Sequence, residues 1–84
     1  MKIKVFTQKN CPNCPAAKKV CAELEEDGIE IEYYDTNDVE GMAEAAFYQV
    51  MSTPTTVVLD ESGEEKESWR GKAPEKERVL ELLK

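Results

Sequence analysis

The sequence predicts an α/β fold, a four-stranded mixed sheet built in the order βαβαββα. Two observations carry this. The chain opens with a strand, a helix and a second strand, which implies a parallel pair joined by a right-handed crossover. Further on, a β-branched run is followed at once by turn residues, which adds an antiparallel hairpin to the same sheet. The 84 residues contain no Pro/Gly/Ser-rich linker and no shift in composition, so one domain over residues 1–84, with a modest core, is expected.

The elements follow in order. Ile3 to Thr7 alternates and is rich in strand-forming residues, ending at Gln8-Lys9-Asn10. The helix expected from Pro12 to just before Gly28 has Ala17, Val20, Cys21 and Leu24 on one face. Ile29 to Asp35 alternates again, and its charged side suits a sheet edge. A second helix, roughly Val39 to Val50, places Val39, Met42, Ala43, Ala46, Phe47 and Val50 on one stripe; Gly41 weakens its first turn. Thr55 to Leu59 is the β-branched run, and Asp60 to Glu64 turns the chain into Glu65 to Arg70. The last helix is expected from Pro74 to Leu83, with Pro74 in its first turn and Val79, Leu80, Leu82 and Leu83 for packing. A turn centred on Ser62-Gly63 would pair Glu61 with Glu64 and, counted outward, set Thr55 opposite Arg70 and Pro54 beside Gly71.

The net charge of −7 argues against nucleic acid or an anionic membrane surface as partner. With no histidine, imidazole-based mechanisms are excluded, and the chemistry must come from thiols, carboxylates or lysines. The three cysteines do not form a disulfide framework for the fold, and the N-terminal apolar stretch is too short for a signal peptide or membrane span. A cytoplasmic monomer is the expectation.

Cys11-Pro12-Asn13-Cys14 lies at a strand-to-helix junction. A thiolate attacks a disulfide far better than a thiol does, and a helix N-terminus stabilises the anion. With Cys11 as the N-cap, the amides of Asn13 and Cys14 would point at its sulfur, Pro12 would occupy the first helical position, and Lys9 would add positive charge nearby. In such places thiol pKa values fall to roughly 3.5 to 7.5. Cys11 is therefore the expected nucleophile, and Cys14, one turn further in, the thiol that resolves the mixed disulfide. No metal and no other cofactor are expected: half of a zinc or iron-sulfur site would need two more ligands, and Cys21 is the one other soft candidate. Cys21 reads as a small core residue, against the alternative of a regulatory or third redox thiol.

Two motifs together resemble the thioredoxin superfamily, and its small glutaredoxin-like members in particular. One is Phe6-Thr7 followed by Cys11-Pro12-Asn13-Cys14-Pro15; the other is Thr53-Pro54-Thr55 just ahead of a β-branched strand. The resemblance implies a thioredoxin-like fold of glutaredoxin size, with helices on both faces of the sheet. It also implies a cis Thr53–Pro54 bond packed against the disulfide, and a Thr53 backbone that hydrogen-bonds an extended substrate. Gly71 would reach the same place and permit close backbone approach, flanked by Trp69, Arg70 and Lys72. Lys9, Arg70 and Lys72 suggest a locally positive rim.

The activity so implied is reduction of disulfide-containing client proteins, ribonucleotide reductase among them. Glutathione-using glutaredoxins usually have a Gly-Gly and acidic motif before the last helix, where this chain reads Arg70-Gly71-Lys72-Ala73-Pro74. The expected reductant is accordingly a flavin-dependent thioredoxin reductase, with a glutathione-dependent glutaredoxin as the alternative. A rival of another class is the small βαββαβ copper or zinc carrier. Such carriers usually have Gly-Met-Thr before the first cysteine and no proline between the two.

Overall fold

A computed structural model describes residues 2–82. Its elements are β1 (Lys2–Thr7), α1 (Cys14–Glu26), β2 (Ile31–Asp35), α2 (Val39–Phe47), β3 (Thr55–Leu59), β4 (Glu65–Arg70) and α3 (Lys76–Leu82). This is the expected βαβαββα order, not that of the carrier rival. The sheet runs β2-β1-β3-β4, with β1 and β2 parallel and the other neighbours antiparallel. Among the described residues no helix is long and apolar enough to cross a membrane.

Alternation along the strands sorts the core into two layers. Ile3, Val5, Val58 and Trp69 point to one face and pack with Cys21 and Leu24 of α1 and Val79 of α3. Phe6, Val57 and Leu59 point to the other face and meet Ala45 of α2, with Tyr34, Tyr48 and Val50 at its margin. Helices thus cover both faces, and β3, in the interior of the sheet, is buried at every position. Lys4 lies on the α2 face, paired with Glu44 and close over the rings of Tyr34 and Tyr48. Burial opposes its charge, but the Glu44 hydrogen bond and its acidic surroundings prevail and hold its pKa above the ordinary lysine value.

Several expectations shift. Helix α1 begins at Cys14, with Asn13 as its N-cap and Pro15 in the first turn, so Cys11 and Pro12 belong to the preceding turn. Either proline suits a helix start, and the later one is used. Likewise Pro74 and Glu75 precede α3, whose first turn closes from the Val79 amide to the Glu75 carbonyl. Leu83, expected to pack, lies outside the described residues.

The hairpin also differs at its tip. The Gly63 amide donates to the Asp60 carbonyl and the Asp60 amide to that of Glu64, so Glu61 and Glu64 do not pair. Asp60 Oδ1 accepts from the Ser62 hydroxyl and from the amides of Glu64 and Ser62, which holds its carboxyl below the usual range. An irregularity between Val58 and Leu59 then absorbs the difference, since Leu59 pairs with Glu65 but Val58 with Glu67. From there to the far end the register is the expected one, with Thr55 opposite Arg70.

Helix α2 departs furthest. It ends at Phe47 rather than Val50, and its inward face is Gly41 and Ala45. Val39, Met42 and Phe47 of the apolar stripe are 80%, 51% and 76% exposed, and Ala43 and Ala46 face solvent with them, while Val50 packs at the core margin. Proximity explains this outward face. A Cβ on Gly41 would fall inside the van der Waals envelope of the Asp35 carbonyl, so at this contact with the end of β2 only the smallest residue fits.

Candidate active site

The C-terminal end of β1 delivers the chain through the exposed turn at Lys9 and Asn10 to Cys11. Asn10 adopts φ 60°, a left-handed conformation that asparagine tolerates better than most residues. Cys11 and Cys14 form a disulfide with their Cα atoms 5.3 Å apart, well inside the range a disulfide spans. The Cys14 amide donates to the Cys11 carbonyl at 3.3 Å, so it is this carbonyl rather than the sulfur that the first helical amide meets. Cys11 is the less shielded of the two, at 9% exposure against 3% for Cys14. Both sulfurs sit at the positive end of the α1 dipole, and no acidic residue lies in the first turn to offset it.

A chain of hydrogen bonds draws three separate segments together here. Asn13 makes no capping bond with its side chain; its Nδ2 donates to the Gly71 carbonyl at 3.4 Å. The Gly71 amide in turn donates to the Pro54 carbonyl at 2.7 Å. Gly71 has φ 82°, where a side chain would be strained, and a Cβ would stand 3.5 Å from Ser52 Oγ. The Thr53–Pro54 peptide is cis, and the Thr55 hydroxyl secures the loop by donating to the Ser52 carbonyl at 2.7 Å.

Of the residues singled out in the sequence, Cys11, Asn13, Cys14, Pro54 and Gly71 thus converge, with Pro12 in the turn between the cysteines and Thr53 beside Pro54. Lys9 is exposed, with no hydrogen-bond or ion-pair partner among the described residues. Trp69 is a core residue under α1 and α3. Arg70 contributes less to a positive rim than its charge suggests. Its guanidinium donates to the carbonyls of Gln49 and Tyr48 at 2.9 and 3.1 Å, and Glu65 lies 3.4 Å away. It fastens the segment leading from α2 to Thr53. That role, and that of Ser52, left no sequence signal, because both depend on loop positions that only the fold brings close. Among the described residues no cluster of three or more His, Cys, Asp or Glu could hold a metal ion.

A family model described as thioredoxin domain matches residues 1–84. The thioredoxin of Methanocaldococcus jannaschii is 38% identical over 87 residues, an alignment that takes in 100% of this chain and 93% of that protein. The chain belongs to the thioredoxin family. Among solved structures, thioredoxin 1 of Thermosipho africanus is similar with a TM-score of 0.75 and 25% identity, over 99% of this chain and 90% of that one. A thioredoxin-like protein of Clostridium perfringens is similar at 0.78 and 25%, over 98% and 67%. With its Cys-x-x-Cys pair closed as a disulfide, this thioredoxin-family chain is a thiol-disulfide oxidoreductase.

Proposed function

We propose that the protein is a cytoplasmic electron carrier that reduces disulfides in other proteins, with Cys11 as nucleophile and Cys14 as resolving thiol. The observation that carries this reading is the Cys11–Cys14 disulfide at the start of α1, in a hydrogen-bonded chain that reaches the Thr53–Pro54 loop through Asn13 and Gly71.

In the reduced protein, the Cys11 thiolate attacks one sulfur of the client disulfide. An S–S bond forms to Cys11 as the client S–S bond breaks, and the second client sulfur leaves as a thiolate that takes up a proton. Cys14 then loses its proton and attacks the Cys11 sulfur, releasing the first client sulfur. The client gains two electrons and two protons, and the protein is left with the Cys11–Cys14 disulfide. The greater shielding of Cys14 supports this division, since the more accessible residue meets the client first. Asn13 and Pro12 hold the turn, Lys9 adds charge beside it, and the Thr53 backbone and Gly71 receive the extended client segment.

A flavin-dependent thioredoxin reductase is the proposed source of electrons, in place of glutathione, and ribonucleotide reductase one proposed client. The chain Arg70-Gly71-Lys72-Ala73-Pro74 supports the first choice, as it lacks the Gly-Gly and acidic motif of glutathione users. The Cys14→Ser variant should accumulate a mixed disulfide with clients in cell extract, and Cys11→Ser should lose reductase activity. Two parent-like variants would sink the reading. NADPH with thioredoxin reductase should drive insulin reduction faster than glutathione with its own reductase; the reverse order would overturn the choice of reductant.

A further inference from the structure

The outward face of α2 is unusual for a surface helix. Val39, Met42, Ala43, Ala46 and Phe47 lie on the side opposite Gly41 and Ala45, so the helix turns its large apolar residues to solvent. Met51, 92% exposed, extends the patch past the helix end. Contiguous apolar surface of this kind on a small acidic protein marks an interaction site rather than random exposure.

Three observations indicate what covers it. First, the patch opens into a groove of about 440 Å³ lined by Gln8, Thr36, Met42, Ala46, Met51 and Thr53. It reaches from the helix to Gln8, at the end of the strand that leads to Cys11, and to Thr53, the residue before Pro54. Second, from Asp35 to Thr53 the chain carries Asp35, Asp38, Glu40 and Glu44 and no lysine or arginine. Lys4 answers Glu44 from below, and Arg70 reaches the C-terminal end of the helix, leaving Asp38 and Glu40 beside the exposed start of the stripe. Third, two copies would each bring a charge of −7, which opposes pairing through acid-flanked faces. Methionine and small residues also suit a surface that must accept more than one apolar sequence.

We propose that the outer face of α2 is the docking surface for disulfide-bearing client proteins, and that it selects an apolar client segment flanked by lysine or arginine. The client lays this segment along Val39, Met42 and Phe47 while its disulfide, carried further along the same chain, reaches Cys11 through the groove at Thr53. This rests on the reading of Cys11 as nucleophile and names the substrate class for it.

The test uses two synthetic disulfide peptides with the same apolar residues, one flanked by lysines and one by glutamates, together with a small aromatic disulfide as a probe of the cysteines alone. Dithiothreitol or thioredoxin reductase recycles the protein. The parent should prefer the lysine peptide in kcat/KM by about tenfold or more, a preference that added salt reduces. The double variant Val39→Ser, Phe47→Ser, which alters only exposed side chains, should lose about tenfold on that peptide and leave the small disulfide unchanged. Equal rates on the two peptides, or a double variant as fast as the parent, would overturn the proposal. So would sedimentation showing a dimer that the double variant abolishes, which would assign the face to a second copy. A parent inactive even on the small disulfide would instead refute the proposed function itself.

Discussion

Cys21 sits on the inner face of α1 with Ala17 and Leu24, wholly buried. Desolvation of its thiolate pushes the thiol up to about 11, and the Glu25 charge adds to this. The hydroxyl of Thr56, otherwise without a hydrogen-bond partner among the described residues, works the other way. The folded protein keeps a proton that the unfolded chain releases at an ordinary thiol pKa. Cys21 therefore contributes stability that is complete below about pH 9 and is lost as the pH climbs toward about 11. Cys21→Ala should flatten the alkaline fall of Tm over that window. Iodoacetamide at pH 8 should leave the oxidised native protein unlabelled and modify one thiol once it is denatured; labelling of the native protein would show that the core opens. The sequence already marked Cys21 as a core residue, because its spacing from Ala17 and Leu24 is enough to place it. Gly41 was legible only as a poor helix former. Alanine there would gain about 1 kcal/mol of helix propensity but would drive a carbon into the Asp35 backbone, which cannot rotate aside. The clash should win by about 2 kcal/mol, lowering Tm by roughly 10 °C.

Helices α1 and α2 end in the same way, and the comparison isolates one residue. At the end of α1 the Ile29 amide returns to Leu24 and that of Gly28 to Glu25; at the end of α2 the Val50 amide returns to Ala45 and that of Gln49 to Ala46. Both motifs need a left-handed residue, supplied by Gly28 at φ 88° and Gln49 at φ 55°. Gln49→Gly keeps the carbonyl that Arg70 uses and relieves the strained conformation. It should stabilise the fold by about 0.5 to 1 kcal/mol, seen as a higher urea midpoint at unchanged slope. Periodicity found both helices, and for α1 it also found the buried face. For α2 it found the stripe but not which side meets the sheet. Apolar spacing reports only that a helix has two unlike faces; which one meets the sheet was decided by clearance at Asp35, information held in the tertiary approach. Helix starts were similarly ambiguous wherever two prolines or a proline and a good cap competed, as at Pro12 and Pro15.

Across the whole molecule, the element order and the meeting of Pro54 with Gly71 were readable, because alternation marks the strands and turn position sets the hairpin register; that this end faces the Cys11–Cys14 pair followed from the resemblance to thioredoxins. Arg70 fastening the α2 end and Asn13 reaching Gly71 were not, since each bond crosses between loops far apart in sequence. The register at the site was right even though the hairpin tip was misread, and the irregularity at Val58/Leu59 is the reason. It confines the difference to the outer end of the hairpin, roughly 16 Å along β3 from the Thr55 end. Asp60 to Gly63 is thus a natural place for a graft. A short Gly-Ser insertion carrying a fluorophore or affinity tag there should leave insulin reduction at the parent rate, whereas the same insertion between Met51 and Thr53 should abolish it.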